Sequence, residues 1–343
     1  MPPLNDPDQW RQRVGALTAI PRLLAEHGAD PAAVLNAAGL PTDALSSADG
    51  FIPYMAAAKL ITETVKATGC EHFGLVIGRE WRLRDLGLLG RLVQTSPTVR
   101  DALQTYVAFH QLNSQGAAAY LLESGVHVEF GYVAFQPRVD ELAPLLDGVM
   151  AIGTEFVREL AGGAFAAIEV RLARSAPRDV APHQAYFGCP IRFDAGETLL
   201  RFDRSVMGRR LATADAAVHD QLKGTALGAM GDEFVPRVYR ALRLQMLHGA
   251  PSGDTVAQQL NLQRRTFNRR LESYGLTFQQ ALDDVRYEVG QQLLRETELS
   301  VAEVACALGY EESANFSRAF RRWSGLYPGA WRKDAHASRK QAS

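Results

Sequence analysis

The chain has 343 residues, 47% of them hydrophobic and 22% charged, with a formal net charge of −1 at pH 7. That length supports two domains with separate cores, and this balance excludes disordered and fibrous classes. Residues 232–343 carry 16 Lys and Arg against 13 Asp and Glu, whereas residues 1–231 carry 21 against 25, so the basic surplus is small and the placement of arginines says more than bulk charge.

In chain order, Val14, Leu17, Ile20, Leu23 and Leu24 recur at helical spacing and predict a helix over 9–27. Asp30-Pro31 reads as an N-cap followed by proline at the first helical position, with Gly39 as the stop. A longer helix is expected over 53–67, ending at Gly69. After Ser96-Pro-Thr98 another follows over Val99–Leu112, with Ala102, Leu103, Tyr106, Val107 and His110 on one face. The period then changes. Ala117–Leu122 and Val126–Phe135 alternate as two antiparallel strands around a turn at Glu123-Ser-Gly125. A helix over 139–160 comes next, then a strand at Ala167–Ala173, a helical turn at His183–Phe187, and strands at Ile191–Asp194 and Leu199–Phe202. Residues 1–222 therefore read as an α+β domain, helices first and a mixed or antiparallel sheet later. Three glycines mark 223–235 as a linker. The remainder reads as an all-α domain at 236–335, opened by a lead helix at Pro236–Leu247, and a polar tail at 336–343.

The all-α segment contains two helix-turn-helix patterns joined by one long helix. In the first, Thr255–Leu260 turns Val256, Ala257 and Leu260 inward, and Asn261 occupies the turn. On the following helix Phe267 and Leu271 share a face with Tyr274 alongside, and the opposite face holds Arg265 and Arg269 flanked by Asn268. In the second, Ser300 and Glu303 form a capping box before Val301–Leu308, and Gly309 supplies the turn. Phe316, Ala319, Phe320 and Trp323 form the inward stripe, opposite Ala314, Arg318 and Arg321, with Ser313, Asn315 and Arg322 at the edges. Arginine pairs bidentately with guanine and asparagine with adenine. Arg265, Asn268, Arg269, Ser313, Asn315 and Arg318 are thus the expected base readers. Arg264, Ser317, Arg321 and Arg322 are expected on phosphates, which position a protein without reading sequence. A Thr277–Gln280 capping box opens the joining helix, which runs to Glu296. Roughly 19 residues at ~1.5 Å each give a rod of roughly 28 Å, close to the ~34 Å between successive major grooves. Double-stranded DNA is the expected partner.

These residues resemble the AraC/XylS family of bacterial transcription regulators. The resemblance runs through Val256-Ala257, Leu260, Arg265-Thr-Phe-x-Arg-Arg-Leu271, Gly275, Phe278, Leu282, Arg286 and Leu293-Leu294. It continues through Ser300-Val-Ala-Glu-Val-Ala305, Leu308-Gly-Tyr310, Phe316-Ser-Arg-Ala-Phe-Arg-Arg-Trp323, Gly325, Pro328 and Arg332. Departures are Gln263 and Glu311, where the family tends to place a capping serine, and Gly290, where alanine is usual; Glu311 and Glu312 set carboxylates near the cationic face. The first half is similar to the arabinose-operon-regulator-type effector-binding domain. Phe73-Gly-Leu-x-Ile-Gly78, Leu86-Gly-x-Leu-Gly90, Ser96-Pro-Thr98 with Ala102-Leu103, and Pro182-His-x-Ala-Tyr-Phe-Gly-Cys-Pro190 carry that likeness. The resemblance implies a sensing and dimerising module, a homodimer, action on RNA polymerase, and activation rather than repression. It names no effector, since such domains answer to different small molecules, amino acids and fatty acids among them.

Arg79-Glu-Trp-Arg-Leu-Arg-Asp85 interleaves an aromatic with cations. Were Trp81, Arg82, Arg84, Tyr106 and His110 to converge, the cations and the histidine would hold the carboxylate of a small acid or amino acid against the two rings. The alternative is a charged loop beside a half-buried helix, and His183 reads as a structural histidine. No glycine-rich phosphate loop, H-E-x-x-H or G-x-S-x-G occurs. Cys70, Cys189 and Cys306 are too scattered for a zinc site or disulfide framework. The expectation is a non-enzyme without cofactor or metal. Control by a protein partner, constitutive activity, and a catalytic first domain remain as alternatives. The opening Met1-Pro-Pro-Leu lacks a leader pattern and no run of about 18 apolar residues occurs, so a cytoplasmic chain with no membrane partner is expected.

Overall fold

The computed structural model describes residues 10–134, 142–162, 165–229, 234–246, 251–260, 262–297 and 299–341. The chain forms two units, Met1–Ala226 and Leu227–Ser343.

The first unit opens with β1 (Arg11–Arg13), α1 (Ile20–Glu26), α2 (Pro31–Ala38), β2 (Phe51–Pro53) and α3 (Tyr54–Thr68). A single helix over 9–27 does not form. Arg11–Arg13 pairs antiparallel with Phe51–Pro53, Gly15 turns at φ 41°, and a 3-10 segment at Gly15–Ala19 leads into α1. The apolar spacing survives because Val14, Leu17 and Ile20 bury the same side through the 3-10 turn. At α2, Asp30 accepts from the Ala32 amide and Gly39 closes the helix in the left-handed region, as expected.

Next come α4 (Phe73–Glu80), α5 (Leu88–Gln94) and α6 (Val99–Phe109). A 3-10 turn at His110–Leu112 ends this run, so the helix expected over 99–112 tightens in its last turn. Then follow β3 (Ala117–Ser124), β4 (His127–Ala134), α7 (Ala143–Leu160), β5 (Ala167–Arg171), α8 (Ala181–Phe187), β6 (Ile191–Arg192), β7 (Thr198–Asp203) and α9 (Ala216–Ala229). The larger sheet has the order β3-β4-β7-β5-β6, antiparallel except for β5 with β6. The β3–β4 hairpin pairs Ser124 with His127, so its loop is Gly125-Val126, with Gly125 at the positive φ such a loop favours. Phe135, expected to end the second strand, lies outside the described residues. α4 crosses α7 at backbone distance. A Cβ on Gly74 would overlap the Pro144 carbonyl, and one on Gly78 would overlap Ala151. Leu24, Leu35, Leu60 and Phe73 anchor the helical part of the core.

Residues 223–229, expected as linker, continue α9. Each interior glycine costs a helix about 1 kcal/mol relative to alanine, and burial of Leu222 and Ala226 on this helix offsets that. Residues 230–233 lie outside the described residues.

The second unit consists of α10 (Phe234–Met246), α11 (Gly253–Gln259), α12 (Arg264–Ser273), α13 (Phe278–Glu296), α14 (Val301–Ala307), α15 (Ser313–Ser324) and α16 (Pro328–Gln341). Both expected capping boxes form, Thr277 with Gln280 and Ser300 with Glu303. The lead helix begins earlier than expected, because Phe234 is buried beside the Phe267 ring. The expected polar tail is helical to Gln341. Asn261 lies outside the described residues. Val256, Ala257, Phe267 and Leu271 bury the first helix pair, and Val304, Ala305, Leu308, Phe316 and Phe320 the second. α13 supplies Ala281, Leu282, Val285 and Leu294 to the core.

Candidate functional site

Burial of Phe267 and Leu271 fixes which face of α12 meets solvent. Arg265 and Arg269 are exposed there and Asn268 is half-buried. Arg264 departs from the phosphate position expected of it. Its guanidinium packs over the rings of Phe278 and Phe267, at 5.2 and 5.8 Å, and its Nη1 is buried without a hydrogen-bond partner. Gly253 makes the room, since a Cβ there would overlap the guanidinium. The Arg264 side chain is therefore largely committed to packing. Tyr274, expected beside the inward face, is 54% exposed and stacks on Phe234.

On α15, Phe316, Ala319 and Phe320 are buried. Trp323 is only half-buried, and its Nε1 donates to Asp283 Oδ2 at 3.3 Å. Ser313, Asn315, Arg318, Arg321 and Arg322 are exposed and Ser317 is half-buried. Several of these side chains are already tethered. Arg318 Nη2 donates to Asn315 Oδ1 at 2.6 Å, joining two base-reading candidates. Arg321 Nη1 donates to the Tyr327 hydroxyl at 2.8 Å while its guanidinium lies over that ring. Arg322 Nη2 donates to Asp283 Oδ2 on α13 at 2.7 Å. The N-caps are Gln263 for α12 and Glu312 for α15, neither making a side-chain cap bond. Glu311 thus precedes the cap instead of forming it, and both glutamates are exposed.

Two arginines in the sequence pattern acquire roles that composition did not suggest. Arg286 on α13 donates to the Leu308 and Gly309 carbonyls and stacks on Tyr310, fixing the α14–α15 turn. Arg332 on α16 donates to the Leu294 and Leu299 carbonyls, holding the C-terminal end of α13. Each satisfies a carbonyl left open at a helix C-terminus, that of Leu308 for Arg286 and of Leu294 for Arg332, together with one in the adjoining turn.

The first unit contains a partly open cavity of about 100 Å³ whose lining includes Leu17, Ile61, Trp81, Tyr106, His110, Ser114, Phe130, Tyr132, Met150 and Phe156. Of the expected effector residues, Trp81, Tyr106 and His110 line it. Arg82 and Arg84 do not, and both are exposed. Arg82 Nη1 instead donates to the Arg79 and Trp81 carbonyls. The carboxylate clamp is therefore not assembled. Trp81 and Leu83 point inward and Arg82 and Arg84 outward, an alternation that Trp-Arg-Leu-Arg already displays. Phe130, Tyr132, Phe156 and Ser114 are among the lining residues that sequence reasoning missed.

The site is an aromatic cluster around a histidine. His110 meets Tyr106 at 5.4 Å and Tyr132 at 6.0 Å, both edge to face, and Trp81 meets Phe156 at 5.9 Å. Burial pushes His110 down to about 4, opposed only by the Ala117 backbone. Neither of its ring nitrogens has a well-formed hydrogen bond, and neither does the Ser114 Oγ, which lies beside the Tyr132 hydroxyl. The Tyr54 and Tyr132 hydroxyls share a buried bond of 3.0 Å, and burial raises both. Arg13 at the edge is held by Asp49 at 2.5 Å and by the Asp85 carbonyl. Away from the cavity, His183 takes the structural place expected. It is fully buried, with Nε2 3.1 Å from Asp147, which also receives Arg174 at 2.5 Å. No helix among the described residues is long and apolar enough to cross a membrane.

Residues 28–211 match the family described as the arabinose-binding domain of AraC transcription regulators, N-terminal, and residues 256–334 match a helix-turn-helix domain family. The ornithine utilization regulator of Pseudomonas aeruginosa is 27% identical over 315 residues, covering 91% of this chain and 93% of its own length. The HTH-type transcriptional regulator VirS of Mycobacterium tuberculosis is 25% identical over 320 residues, 90% of this chain and 93% of its own. Among solved structures, the transcriptional regulator CdpR from Pseudomonas aeruginosa aligns at 24% identity over 88% of this chain and 96% of its own, with a TM-score of 0.44. The chain belongs to the AraC family of transcription regulators, an arabinose-binding-type domain preceding an AraC-type helix-turn-helix domain.

Proposed function

We propose that α12 and α15 enter successive major grooves of double-stranded DNA, with α13 as spacer, and that a small molecule in the cavity of the first unit controls this binding. The observation that supports the DNA geometry most is the pairing of two exposed cationic faces, each backed by buried aromatics, on either side of one 19-residue helix. On this reading Arg265, Asn268 and Arg269 read bases from α12, and Ser313, Asn315 and Arg318 from α15. Ser317, Arg321 and Arg322 grip phosphates. Arg264, committed to its two phenylalanine rings, contributes chiefly by holding α12 against the start of α13.

The first unit acts as effector and homodimerisation module over residues 1–222, and residues 236–335 form the DNA-binding module. Binding shifts the DNA affinity of the second unit through an allosteric coupling, and the outcome at the promoter is activation through RNA polymerase. The cavity senses and does not catalyse. The test is capture of genomic fragments by the full-length protein, followed by sequencing. The expected result is enrichment of fragments sharing a motif of about two helical turns. Capture without a shared motif, retained by a protein carrying Arg265→Ala and Arg318→Ala together, would overturn the reading.

A further inference from the structure

We infer that the cavity of the first unit receives an uncharged, mostly apolar molecule with one hydrogen-bonding group, and neither a carboxylate nor an amine. This rests on the reading of the first unit as an effector module and names the ligand class of that site.

The charged groups at the cavity are already engaged. Arg13 is bound by Asp49 and the Asp85 carbonyl, and the Asp85 carboxylate accepts from the Arg82 amide at 2.8 Å. Arg82 and Arg84 face solvent. Among what remains are neutral groups, the His110 ring beside the Ala117 backbone and the Ser114 hydroxyl beside that of Tyr132, buried and without a well-formed hydrogen bond. A neutral imidazole offers one donor and one acceptor, and the hydroxyl offers both. A ligand alcohol, amide or carbonyl can satisfy them. Because burial pushes His110 down to about 4, the ring carries no charge near pH 7 and cannot offset a buried anion, whose transfer from water would go uncompensated. A cation fares little better. Aromatic faces attract cations, but Trp81, Tyr106, His110, Tyr132 and Phe156 spend themselves on mutual edge-to-face and tilted contacts. Size narrows the class further. The volume of about 100 Å³ is of the order of the roughly 150 Å³ engineered cavity that accepts benzene. A single ring or a short chain with its polar group fits this volume.

The test uses three probes with the same ring and one differing substituent, benzyl alcohol, benzoate and benzylammonium, with toluene as the apolar reference. Each is titrated calorimetrically into the full-length protein near pH 7. Benzyl alcohol is expected to bind at least about ten-fold more tightly than either ion. His110→Leu should weaken benzyl alcohol about ten-fold and leave toluene unchanged, a difference that mere loss of packing does not produce. Should that variant fail to fold, Ser114→Ala gives the same comparison. Benzoate or benzylammonium binding as tightly as the alcohol would overturn the neutral-ligand inference and leave the effector reading standing. Absence of binding by all four would overturn both.

Discussion

Acidification should destabilise the first unit through His110 alone by an amount that can be worked out. In the unfolded chain the imidazole titrates near 6.5. In the folded chain burial among Tyr106 and Tyr132 holds it at about 4. The unfolded state therefore takes the proton first. The stability contributed by this group is complete above about pH 6.5, is lost as pH falls, and is exhausted near pH 4. The full difference, at about 1.4 kcal/mol per unit, is about 3 kcal/mol. Between about pH 7.5 and about pH 5 the share lost is about 2 kcal/mol. Urea unfolding of the wild type and of His110→Phe across that interval isolates the effect, because phenylalanine fills a similar volume beside the same rings but cannot titrate. His72, which burial also depresses, is common to both proteins and cancels. The wild type is expected to lose about 2 kcal/mol more than the variant. Parallel pH profiles would show that the ring is not held neutral by burial, and the reasoning would fail.

Arg265→Ala or Arg318→Ala should each cost ~1–3 kcal/mol on a specific DNA site and relax preference at the base it reads. Anisotropy titrations showing equal losses on specific and random duplexes would contradict a base-reading role. Arg322→Ala should weaken binding to every sequence and lower the salt slope by about 1, and a change confined to one base position would refute a phosphate role. Asp147→Ala strands the largely buried Arg174 side chain and should destabilise the first unit by about 3–5 kcal/mol, read as a lowered unfolding midpoint; a loss below about 1 kcal/mol would mean that water compensates the guanidinium. Gly253→Ala should expel the flexible end of Arg264 from its seat between Phe267 and Phe278 and change stability by less than about 1 kcal/mol, because alanine favours the helix and the displaced Nη1 regains water. A thermal midpoint lowered by more than that would show that the seat holds the helices together.

The second unit was legible because its signals are local. A capping box spans four residues, and an aromatic recurring every third or fourth position declares which face is buried whatever lies opposite. Thr277 with Gln280, Ser300 with Glu303, and Phe316 with Phe320 all behaved so. What failed was non-local. Arg11–Arg13 is a strand only because Phe51–Pro53 comes alongside, and nothing within 9–27 announces that partner. α4 carries two glycines that argue against a helix; the close crossing with α7 that they permit is a tertiary fact. At the cavity, Trp81 belonged and its arginine neighbours did not, because Trp81 and Leu83 take the buried positions where the chain enters the 3-10 turn Leu83–Leu86 and leave Arg82 and Arg84 exposed. Arg264 was misread for the converse reason. Its place on the helix suggested solvent, but a glycine on another helix opened a seat for it.

The bond from Arg322 to Asp283 and the seat of Arg286 on the α14–α15 turn tie α14 and α15 to α13, the weld on which the proposed reading of DNA depends. A reader built this way has little freedom to pivot about the joint. Inserting one base pair between the two half-sites would both displace and rotate the second target by roughly a tenth of a turn. The protein could follow only by breaking the weld or by twisting the duplex. The distance between the two halves of an operator would then be enforced as strictly as its letters, a punctuation mark carried by two arginines that touch no base.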